Sequence, residues 1–306
     1  MDRRTFLASS AALGLAATAQ GQPQKPYQGN TSPWPISMNT STIRPASLEE
    51  KIDATAKAGY DAIEPWIEDI ENHEKSGGNL KDLGKSILDR GLTVPNVIGL
   101  WNCMPEGDEA FQASLPATRE RMRRAADIGS QHVAAIPAPD RADFDLKEGA
   151  RMYRELLRIG REDYNITVGF EFIGFFKSVH RLGQAAAVAL DANDPTACLI
   201  ADTFHLYRGD SGFEGIRHLR GSFIGNFHFN DVPDSPERTA MGDEHRIYPG
   251  DGILPLEQLC RDLIAIDYRG PLSLELFNRA HWEQDPYEVA KTGLDKTVAV
   301  IHAALT

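Results

Sequence analysis

Short apolar runs alternate with longer amphipathic segments along most of the chain. Eight of these runs are dense in strand-forming residues, and the longer segments repeat apolar residues at the spacing of a helix. The predicted strands span residues 36–39, 62–64, 92–97, 132–136, 167–172, 197–202, 223–229 and 272–276. The clearest predicted helices span residues 47–58, 109–128, 146–164 and 286–304.

Local signals support the boundaries between these elements. Ser47 followed by Glu50 is the pattern of a capping box that starts a helix, and Gly59 is placed to end that helix before the next strand. The alternation runs through residues 36–306 without a linker. The residues after the predicted signal, divided over eight units, give about 36 residues per unit, the size of a βα repeat. The pattern therefore predicts an α/β fold, a single (β/α)8 TIM barrel domain. Its last helix, 286–304, would cover either the barrel base or a partner subunit, so a homo-oligomer stays open.

The N-terminal residues have the composition of an export signal. Arg3-Arg4 precedes the apolar run Ala11–Ala17, and Ala17-Thr18-Ala19 offers a small-residue cleavage site. Residues 1–20 are therefore predicted to be a twin-arginine signal, and residues 21–35 an irregular lead-in. We expect a periplasmic or secreted protein without membrane attachment after cleavage, because no later apolar stretch approaches the length of a membrane span.

The balance of charges argues against a nucleic-acid partner. The chain has 44 acidic and 32 basic residues, a formal net charge of −12 at pH 7, and such a surface repels phosphate backbones. A basic cluster at Arg119–Arg124 lies in a helical pattern and is interpreted as a solvated helix face. Cys103, Cys198 and Cys260 have no metal-like spacing and predict no disulfide framework, with Cys198 a small buried hydrophobe.

Four of the predicted strands carry a carboxylate or an imidazole at their last or second-last position. These residues are Glu171, Asp202, His228 and Glu275, on the fifth to eighth strands. Barrel enzymes place their chemistry at the carboxyl ends of the strands, and neighbouring strands are about 4.8 Å apart, so the four side chains can share one ion. Three carboxylates and one imidazole suit Mn²⁺, Mg²⁺, Co²⁺ or Zn²⁺. The alternative is a set of strand-end charges without a shared partner.

Several motifs resemble those of one known family. They are Gly169-Phe170-Glu171, Asp202-Thr203-Phe204-His205, His228-Phe229-Asn230-Asp231, Arg246-Ile247-Tyr248-Pro249-Gly250-Asp251-Gly252 and Leu274-Glu275-Leu276-Phe277. In order and spacing they resemble the sugar phosphate isomerase/epimerase superfamily, the xylose isomerase-like TIM barrels also called AP endonuclease family 2. The resemblance implies one divalent metal ion held by the four strand-end residues. It also implies that His205 and Arg246 contact the substrate.

The chemistry expected of such a site is proton movement beside a carbonyl. A metal ion chelated by the carbonyl oxygen and the neighbouring hydroxyl stabilises the enediolate that forms when the carbon between them loses its proton. Glu171 and Glu275 are the expected acid/base pair. The predicted function is a metal-dependent isomerase or epimerase, with Mn²⁺ as the expected ion and a free keto-sugar or keto-polyol as the substrate.

Further residues are assigned to the walls of the pocket. Glu64 and Trp66, at the end of the second strand, are expected at the pocket mouth as substrate-binding residues. Trp66, Trp101 and Trp282 would stack on sugar faces, although aromatic residues in barrel loops also serve packing. Asp231 either orients His228 or caps a loop.

Three alternative functions stay open. The stretch 275–286 resembles a subgroup of inosose isomerases and dehydratases, which leaves a lyase acting on keto-inositols or 3-keto-glycosides as the runner-up. A sugar-binding protein without turnover would keep the barrel, but it has no need of both Glu171 and Glu275. An AP endonuclease is disfavoured because Glu64 and Asn96 stand where those enzymes carry additional metal-binding histidines.

Overall fold

A computed structural model of the protein describes residues 26–306 as a parallel barrel. The predicted export signal and the first residues of the lead-in lie outside the described residues. The strands are β1 (Ile36–Asn39), β2 (Ala62–Glu64), β3 (Asn96–Leu100), β4 (His132–Ala135), β5 (Thr167–Glu171), β6 (Cys198–Asp202), β7 (Ile224–His228) and β8 (Leu272–Leu274). They lie in the order β2-β1-β8-β7-β6-β5-β4-β3, and every pair of neighbours is parallel.

Strands β2 and β3 close the barrel less regularly than the other pairs. They are joined by single bridges between Ala62 and Thr93 and between Trp66 and Ile98. Pro65 and Pro95 lie inside these segments, and each lacks the N–H that a continuous ladder requires. The result is a nearly closed eight-stranded barrel in one domain, which confirms the predicted fold class.

Helices surround the barrel between the strands. They are α1 (Leu48–Ala58), α2 (Ile67–Lys75), α3 (Leu80–Asp89), α4 (Asp108–Asp127), α5 (Leu146–Ile159), α6 (Leu182–Asp191), α7 (Thr203–Arg208), α8 (Leu256–Ala265), α9 (Arg279–Trp282) and α10 (Pro286–Leu305). The predicted capping box of Ser47 and Glu50 starts α1, and Gly59 ends it with φ 97°. Within residues 26–306, none of these helices combines the length and the apolar character needed to cross a membrane.

Two predicted boundaries were wrong. The third strand begins at Asn96 and not at residue 92, because Pro95 cannot donate to a neighbouring strand. The predicted helix 146–164 is regular only to Ile159 and continues as a wider π turn at Gly160–Tyr164. The carbonyl oxygen of Ile166 folds back to within 2.7 Å of where a Cβ on Gly160 would stand, so the chain needs a glycine there.

The lead-in and the basic cluster are more structured than their composition indicated. Trp34 is fully buried, and its indole Nε1 donates to the carbonyl oxygen of Tyr268 at 3.0 Å. In the basic cluster, Arg123 and Arg124 on α4 form ion pairs with Glu74 at the end of α2. The cluster is therefore an interhelical ion-pair network and not a freely solvated face. The three cysteines are free and buried, which confirms the predicted burial of Cys198.

Candidate active site and metal centre

The four strand-end residues converge because of the two-residue period of a strand. Phe170, Ala201 and Phe227 alternate with them and are completely buried. Glu171, Asp202 and His228 are the last residues of β5, β6 and β7, and Glu275 follows β8 directly. The ligand atoms of all four side chains lie within 4.8 Å of one another. The predicted constellation is therefore formed.

His228 occupies the centre of this group. Its Nδ1 lies 3.1 Å from Glu171 Oε1, 3.2 Å from Glu275 Oε2 and 3.4 Å from Asp202 Oδ2. All four side chains are buried, with exposed fractions of at most 5 %. One imidazole nitrogen therefore faces three carboxylates in a space that excludes bulk water.

The chemistry of these donors fits a divalent cation. Nδ1 of His228 is buried without a hydrogen-bond partner, and such an orphaned nitrogen is the atom that a metal ion would bind. Carboxylate oxygens with one imidazole form a hard donor set. The three carboxylates and the nearby guanidinium of Arg246 leave an excess of negative charge that a divalent cation would neutralise. Glu171, Asp202, His228 and Glu275 are thus a candidate divalent-metal site.

Glu64 lies below this site and not at the pocket mouth, where the sequence had suggested a substrate-binding role. Its carboxylate is completely buried, and Glu64 Oε1 accepts a hydrogen bond from Nε2 of His228 at 3.0 Å. Glu64 is the last residue of β2, and its side chain faces inward. Because the strands of a barrel are staggered, this side chain lies one layer deeper along the barrel axis than the residues that end the other strands. Glu64 therefore contacts a metal-site residue from the side opposite the carboxylates.

Arg246 lies beside the metal site, but its hydrogen bonds go to protein groups. Its Nη1 donates to Asp202 at 2.5 Å and to Glu275 at 3.0 Å, while Nε and Nη2 both donate to Asp243. Nη2 also lies 3.3 Å from His205 Nε2. These five contacts engage the five N–H donors of a guanidinium. Arg246 therefore fixes and neutralises carboxylates, and substrate binding by this residue stays a prediction.

His205 reaches the site through a helix start. Asp202 is the N-cap of α7 and accepts a hydrogen bond from the backbone N–H of His205 at 2.9 Å. The imidazole packs edge-on against Phe204 and Phe175. The Asp-x-x-His motif thus describes one turn of helix that presents a metal-site carboxylate and an imidazole to the same pocket.

Burial and mutual contact shift the ionisation of these groups in different directions. Burial, reinforced by Glu171 and Asp202, raises the pKa of Glu275 well above its usual value despite His228 and Arg246. Burial also opposes ionisation of Asp202, but Arg246, His205 and His228 hold the pKa of Asp202 well below its usual value. The pKa values of these two carboxylates are therefore shifted in opposite directions, as expected where one group must exchange a proton.

The pKa values of the imidazoles of His205 and His228 are also shifted in opposite directions. Burial lowers the pKa of His205, and the positive charge of Arg246 lowers it further against the effect of Asp202. Burial opposes the charged form of His228, but Glu275, Glu64 and Glu171 raise the pKa of His228 well above its usual value. At neutral pH, His205 is therefore a neutral donor or acceptor facing the pocket.

A cavity of about 140 Å³ lies above the candidate metal site. Its walls combine site residues with a ring of apolar and aromatic side chains: Trp66, Ile98, Trp101, Ile136, Glu171, Ile173, Phe175, Phe176, His205, Asp243, Arg246, Glu275 and Phe277. The ring centroids of Trp66 and Trp101 are 5.3 Å apart, and Phe277 packs edge-on against Trp66. Trp66 and Trp101 therefore line the pocket, as predicted.

Trp282 does not line this cavity. Its indole Nε1 donates to the carbonyl oxygen of Ser41 at 2.9 Å, which directs the ring towards the chain after β1. Sequence reasoning also gave no place in the pocket to Asp243 or to the aromatic pair Phe175 and Phe176. The only signal for the pair was its position shortly after a strand-end glutamate. A cavity of about 870 Å³ opens at the opposite end of the barrel, away from the carboxylates.

Asp231 caps a loop. Its carboxylate accepts hydrogen bonds from the backbone N–H groups of Gly250, Gly252 and Leu254 at 3.0–3.1 Å, and from its neighbour Val232. A Cβ on Gly252 would stand 2.0 Å from the carbonyl oxygen of Val232, so the loop can approach this closely only with a glycine. Of the two roles predicted for Asp231, the structure supports the loop cap.

A sequence model of the family described as xylose isomerase-like TIM barrel matches residues 52–297. The chain belongs to this family. The match covers the strands and loops that carry all four candidate metal ligands, and so confirms the resemblance deduced from the motifs.

Relatives within the family catalyse more than one type of reaction. An inosose isomerase of Bacillus velezensis is 24% identical over 267 residues, which are 85% of this chain and 94% of that protein. A 3-dehydroshikimate dehydratase of Pseudomonas aeruginosa is 26% identical over 76% of this chain, but that match covers only 36% of the dehydratase. An L-ribulose 3-epimerase of a Methylomonas species is 25% identical over 76% of this chain and 79% of the epimerase.

Solved structures share the fold. A crystal structure of the IolI protein with a bound zinc atom superposes with a TM-score of 0.80 at 23% identity, covering 87% of this chain and 98% of that protein. At such identity the superposition establishes the barrel fold alone. The candidate metal site of this chain rests on its own four buried side chains.

Proposed function

We propose that the protein is a divalent-metal-dependent isomerase or epimerase acting on a free keto-sugar or keto-polyol. The observation that carries this proposal is the placement of two glutamates, Glu171 and Glu275, on either side of the orphaned Nδ1 of His228. A divalent ion bound there would polarise a carbonyl oxygen as a Lewis acid. The inosose isomerase and the epimerase among the relatives support this class of reaction.

Glu275 is the better candidate for moving the proton. In the site without a metal ion, burial raises the pKa of Glu275 well above its usual value, and the carboxyl group lines the cavity. A bound cation would favour the carboxylate, which is the form that accepts the proton. Glu171 stands on β5, across the site from Glu275, and would serve the opposite face of the substrate. Return of the proton to that face gives epimerisation, and return to the neighbouring carbon gives isomerisation.

The remaining residues of the cavity would bind the substrate and shield its reacting carbon atoms from water. His205, kept neutral by burial, can exchange a hydrogen bond with a substrate hydroxyl. Trp66 and Trp101 offer flat apolar surfaces against the carbon face of a ring, a common mode of sugar binding. Exclusion of water by these rings strengthens the electrostatic interactions at the carboxylates.

The charges of the cavity favour an uncharged substrate. Among the residues that line it, Arg246 is the basic one, and its N–H donors are engaged by Asp202, Glu275, Asp243 and His205. A phosphate group would meet carboxylates without a free basic side chain to pair with. We therefore propose a free sugar or polyol over a phosphorylated one.

Manganese is the ion proposed for this site. Three carboxylates and one imidazole give an oxygen-rich donor set, which suits Mn²⁺ better than a soft metal. Zinc is the competing proposal, because the IolI structure contains a zinc atom. Activity of metal-free protein restored separately with Mn²⁺, Mg²⁺, Co²⁺ and Zn²⁺ distinguishes them.

The function is tested by deuterium exchange. Metal-loaded protein is incubated in deuterated water with free ketoses, keto-inositols and 3-keto-glycosides, and the products are read by NMR. Deuterium on the carbon beside the carbonyl, in an isomerised or epimerised product with an intact carbon skeleton, is the expected result. Binding of these sugars without exchange in any of them would instead indicate a sugar-binding protein.

A lyase is the second candidate, supported by the dehydratase among the relatives. Both reactions begin with loss of the same proton beside the carbonyl. If a hydroxyl or an aglycone occupies the next carbon, the electron pair left behind can expel it. In the same NMR experiment, loss of water or of the aglycone would identify the lyase.

We also propose that the twin-arginine signal exports the protein to the periplasm or beyond. The support is the sequence of residues 1–20, with Arg3 and Arg4 ahead of an apolar run. Replacement of both arginines by lysine should retain the protein in the cytoplasm of a host that has the pathway. Unchanged distribution between the cell fractions would contradict this proposal.

A further inference from the structure

The carboxylate of Glu64 is the meeting point of five hydrogen bonds inside the barrel. Oε1 accepts from Asn96 Nδ2 at 2.6 Å, from Asn226 Nδ2 at 2.9 Å and from His228 Nε2 at 3.0 Å. Oε2 accepts from Ser273 Oγ at 2.6 Å and from Asn39 Nδ2 at 2.9 Å. The donors come from β1, β3, β7 and β8, and each of these residues is completely buried. Glu64 is therefore held rigidly by four strands other than its own.

This geometry determines which nitrogen of His228 carries a hydrogen. The amide N–H groups and the hydroxyl around Glu64 point their donors at its oxygens, so the carboxylate acts as an acceptor only. Nε2 of His228 can contact such an oxygen at 3.0 Å only as a donor. In the neutral ring, Nδ1 then presents its lone pair to Glu171, Asp202 and Glu275.

The same carboxylate is connected to the wall of the substrate cavity. Asn39 donates to Glu64 through Nδ2, and its Oδ1 accepts from the indole Nε1 of Trp66 at 2.8 Å and from the backbone N–H of Ser41 at 3.0 Å. A continuous chain of hydrogen bonds therefore runs from Trp66, in the aromatic wall of the cavity, to the candidate metal ligand His228. Asn39 and Glu64 are the two links between them.

We propose that Glu64 is a positioning residue, which fixes the tautomer and orientation of His228 and, through Asn39, the ring of Trp66. The inference rests on the proposed metal site, since its consequence is the affinity of that site for an ion. A carboxylate that accepts from the far nitrogen of a metal-binding imidazole raises the basicity of the ligand and reduces its freedom. Loss of such a partner weakens metal binding by about 10- to 100-fold in comparable sites.

The experiment compares Zn²⁺ affinity in the full-length wild-type protein, Glu64→Gln and a matched control. Glutamine keeps the volume of glutamate but directs an N–H₂ group at neighbouring donors. The control is Glu68→Gln, because the carboxylate of Glu68 accepts from the indole of Trp101 at 2.7 Å in the same wall. We expect about 10- to 100-fold weaker zinc binding by calorimetry for Glu64→Gln. For Glu68→Gln we expect wild-type affinity.

Histidine NMR supplies a second measurement that needs no variant. In zinc-loaded wild-type protein labelled with ¹⁵N, long-range correlations should assign His228 as the tautomer with the hydrogen on Nε2, and that proton should resonate downfield. The downfield resonance should disappear in Glu64→Gln. The downfield shift of the Nε2 proton in the wild type reports its hydrogen bond to the Glu64 carboxylate, and a shift typical of a free imidazole N–H would contradict the proposal even if Glu64→Gln fails to fold.

The outcomes separate this inference from the proposed function. A hydrogen on Nδ1 of His228 in the zinc-loaded wild type would overturn the inference. Equal zinc affinity of Glu64→Gln and wild type, or equal loss in Glu68→Gln, would also overturn it. If no sugar is turned over while Glu64→Gln alone loses zinc affinity and the downfield proton, the proposed function fails and the positioning role stands.

Discussion

Glu64 and His228 form a hydrogen bond of 3.0 Å although they are 164 residues apart in the chain. The two side chains are completely buried, one below the candidate metal site and one within it. The candidate metal site is therefore hydrogen-bonded directly to the interior of the barrel.

Removal of metal should lower both activity and thermal stability. Without a cation, Glu171, Asp202 and Glu275 crowd one buried space around His228, and like charges there oppose folding. An ion present at about 100 times its dissociation constant stabilises the folded state by about 2.7 kcal/mol. We expect a lower Tm by calorimetry after chelation and recovery of Tm and turnover on adding metal. A Tm that is the same with and without chelator would contradict the metal site.

Glu275→Gln should lower kcat by a factor of about 10² to 10⁴, the usual contribution of a general acid or base. Glutamine keeps the shape of the side chain but cannot accept the proton. Steady-state kinetics and substrate binding are measured at saturating metal, since the substitution also removes a ligand charge. The control is Glu257→Gln, an exposed residue on α8. Wild-type kcat in Glu275→Gln would refute the two-carboxylate mechanism.

Trp66→Phe should raise KM by about 2- to 10-fold, the equivalent of one hydrogen bond of about 0.5–1.5 kcal/mol. The phenyl ring retains an aromatic wall but loses the indole N–H that donates to Asn39. Trp282→Phe is the matched control, because its indole donates to Ser41 away from the cavity. The prediction fails if both variants change KM equally.

Asp231→Ala should destabilise the loop above the site. The substitution leaves the N–H groups of Gly250, Gly252 and Leu254 without their acceptor. The cost is about 1–3 kcal/mol for the buried N–H of Leu254, and smaller for the two exposed glycines, which water can reach. We expect lower stability in urea and a lower kcat, because the loop follows Arg246 directly. Asp234→Ala, at an exposed position nearby, should leave both quantities unchanged.

His132 lies at the amino end of the barrel and should make the free energy of unfolding depend on pH. Burial lowers the pKa of His132 below its usual value of 6.5, and the hydrogen bond with the carbonyl oxygen of Pro95 offsets only part of this. Between that lowered pKa and 6.5, the unfolded chain binds a proton that the folded chain does not, so stability falls as the pH falls. The contribution of neutral His132 to the stability of the folded state is fully present above pH 6.5.

Urea unfolding at several pH values measures this effect. The loss of stability on acidification below pH 6.5 should be smaller in His132→Gln than in the wild type, whatever the offset between the two proteins. His302→Gln, at an exposed position of α10, is the control and should keep the wild-type dependence. Parallel curves for His132→Gln and the wild type would contradict the prediction.

Much of the barrel could be predicted from local signals. Ser47 and Glu50 form the expected capping box, and Gly59 has the expected left-handed conformation, because both depend on residues within one helical turn. The third strand was placed too early because the apolar residues before Pro95 resemble a strand. The ladder that defines the strand depends on a partner that only the fold supplies.

Sequence patterns alone pick out the residues of the candidate metal site. Glu171, Asp202 and His228 end three consecutive strands, and parallel strands of a barrel bring their carboxyl ends to one face. The contacts of Glu64, in contrast, follow only from the folded chain. Its five donors come from positions 39, 96, 226, 228 and 273, which no local pattern connects. In a closed barrel the strands are staggered, and the stagger decides how deep along the barrel axis each inward-facing side chain lies. That stagger depends on all eight strands together.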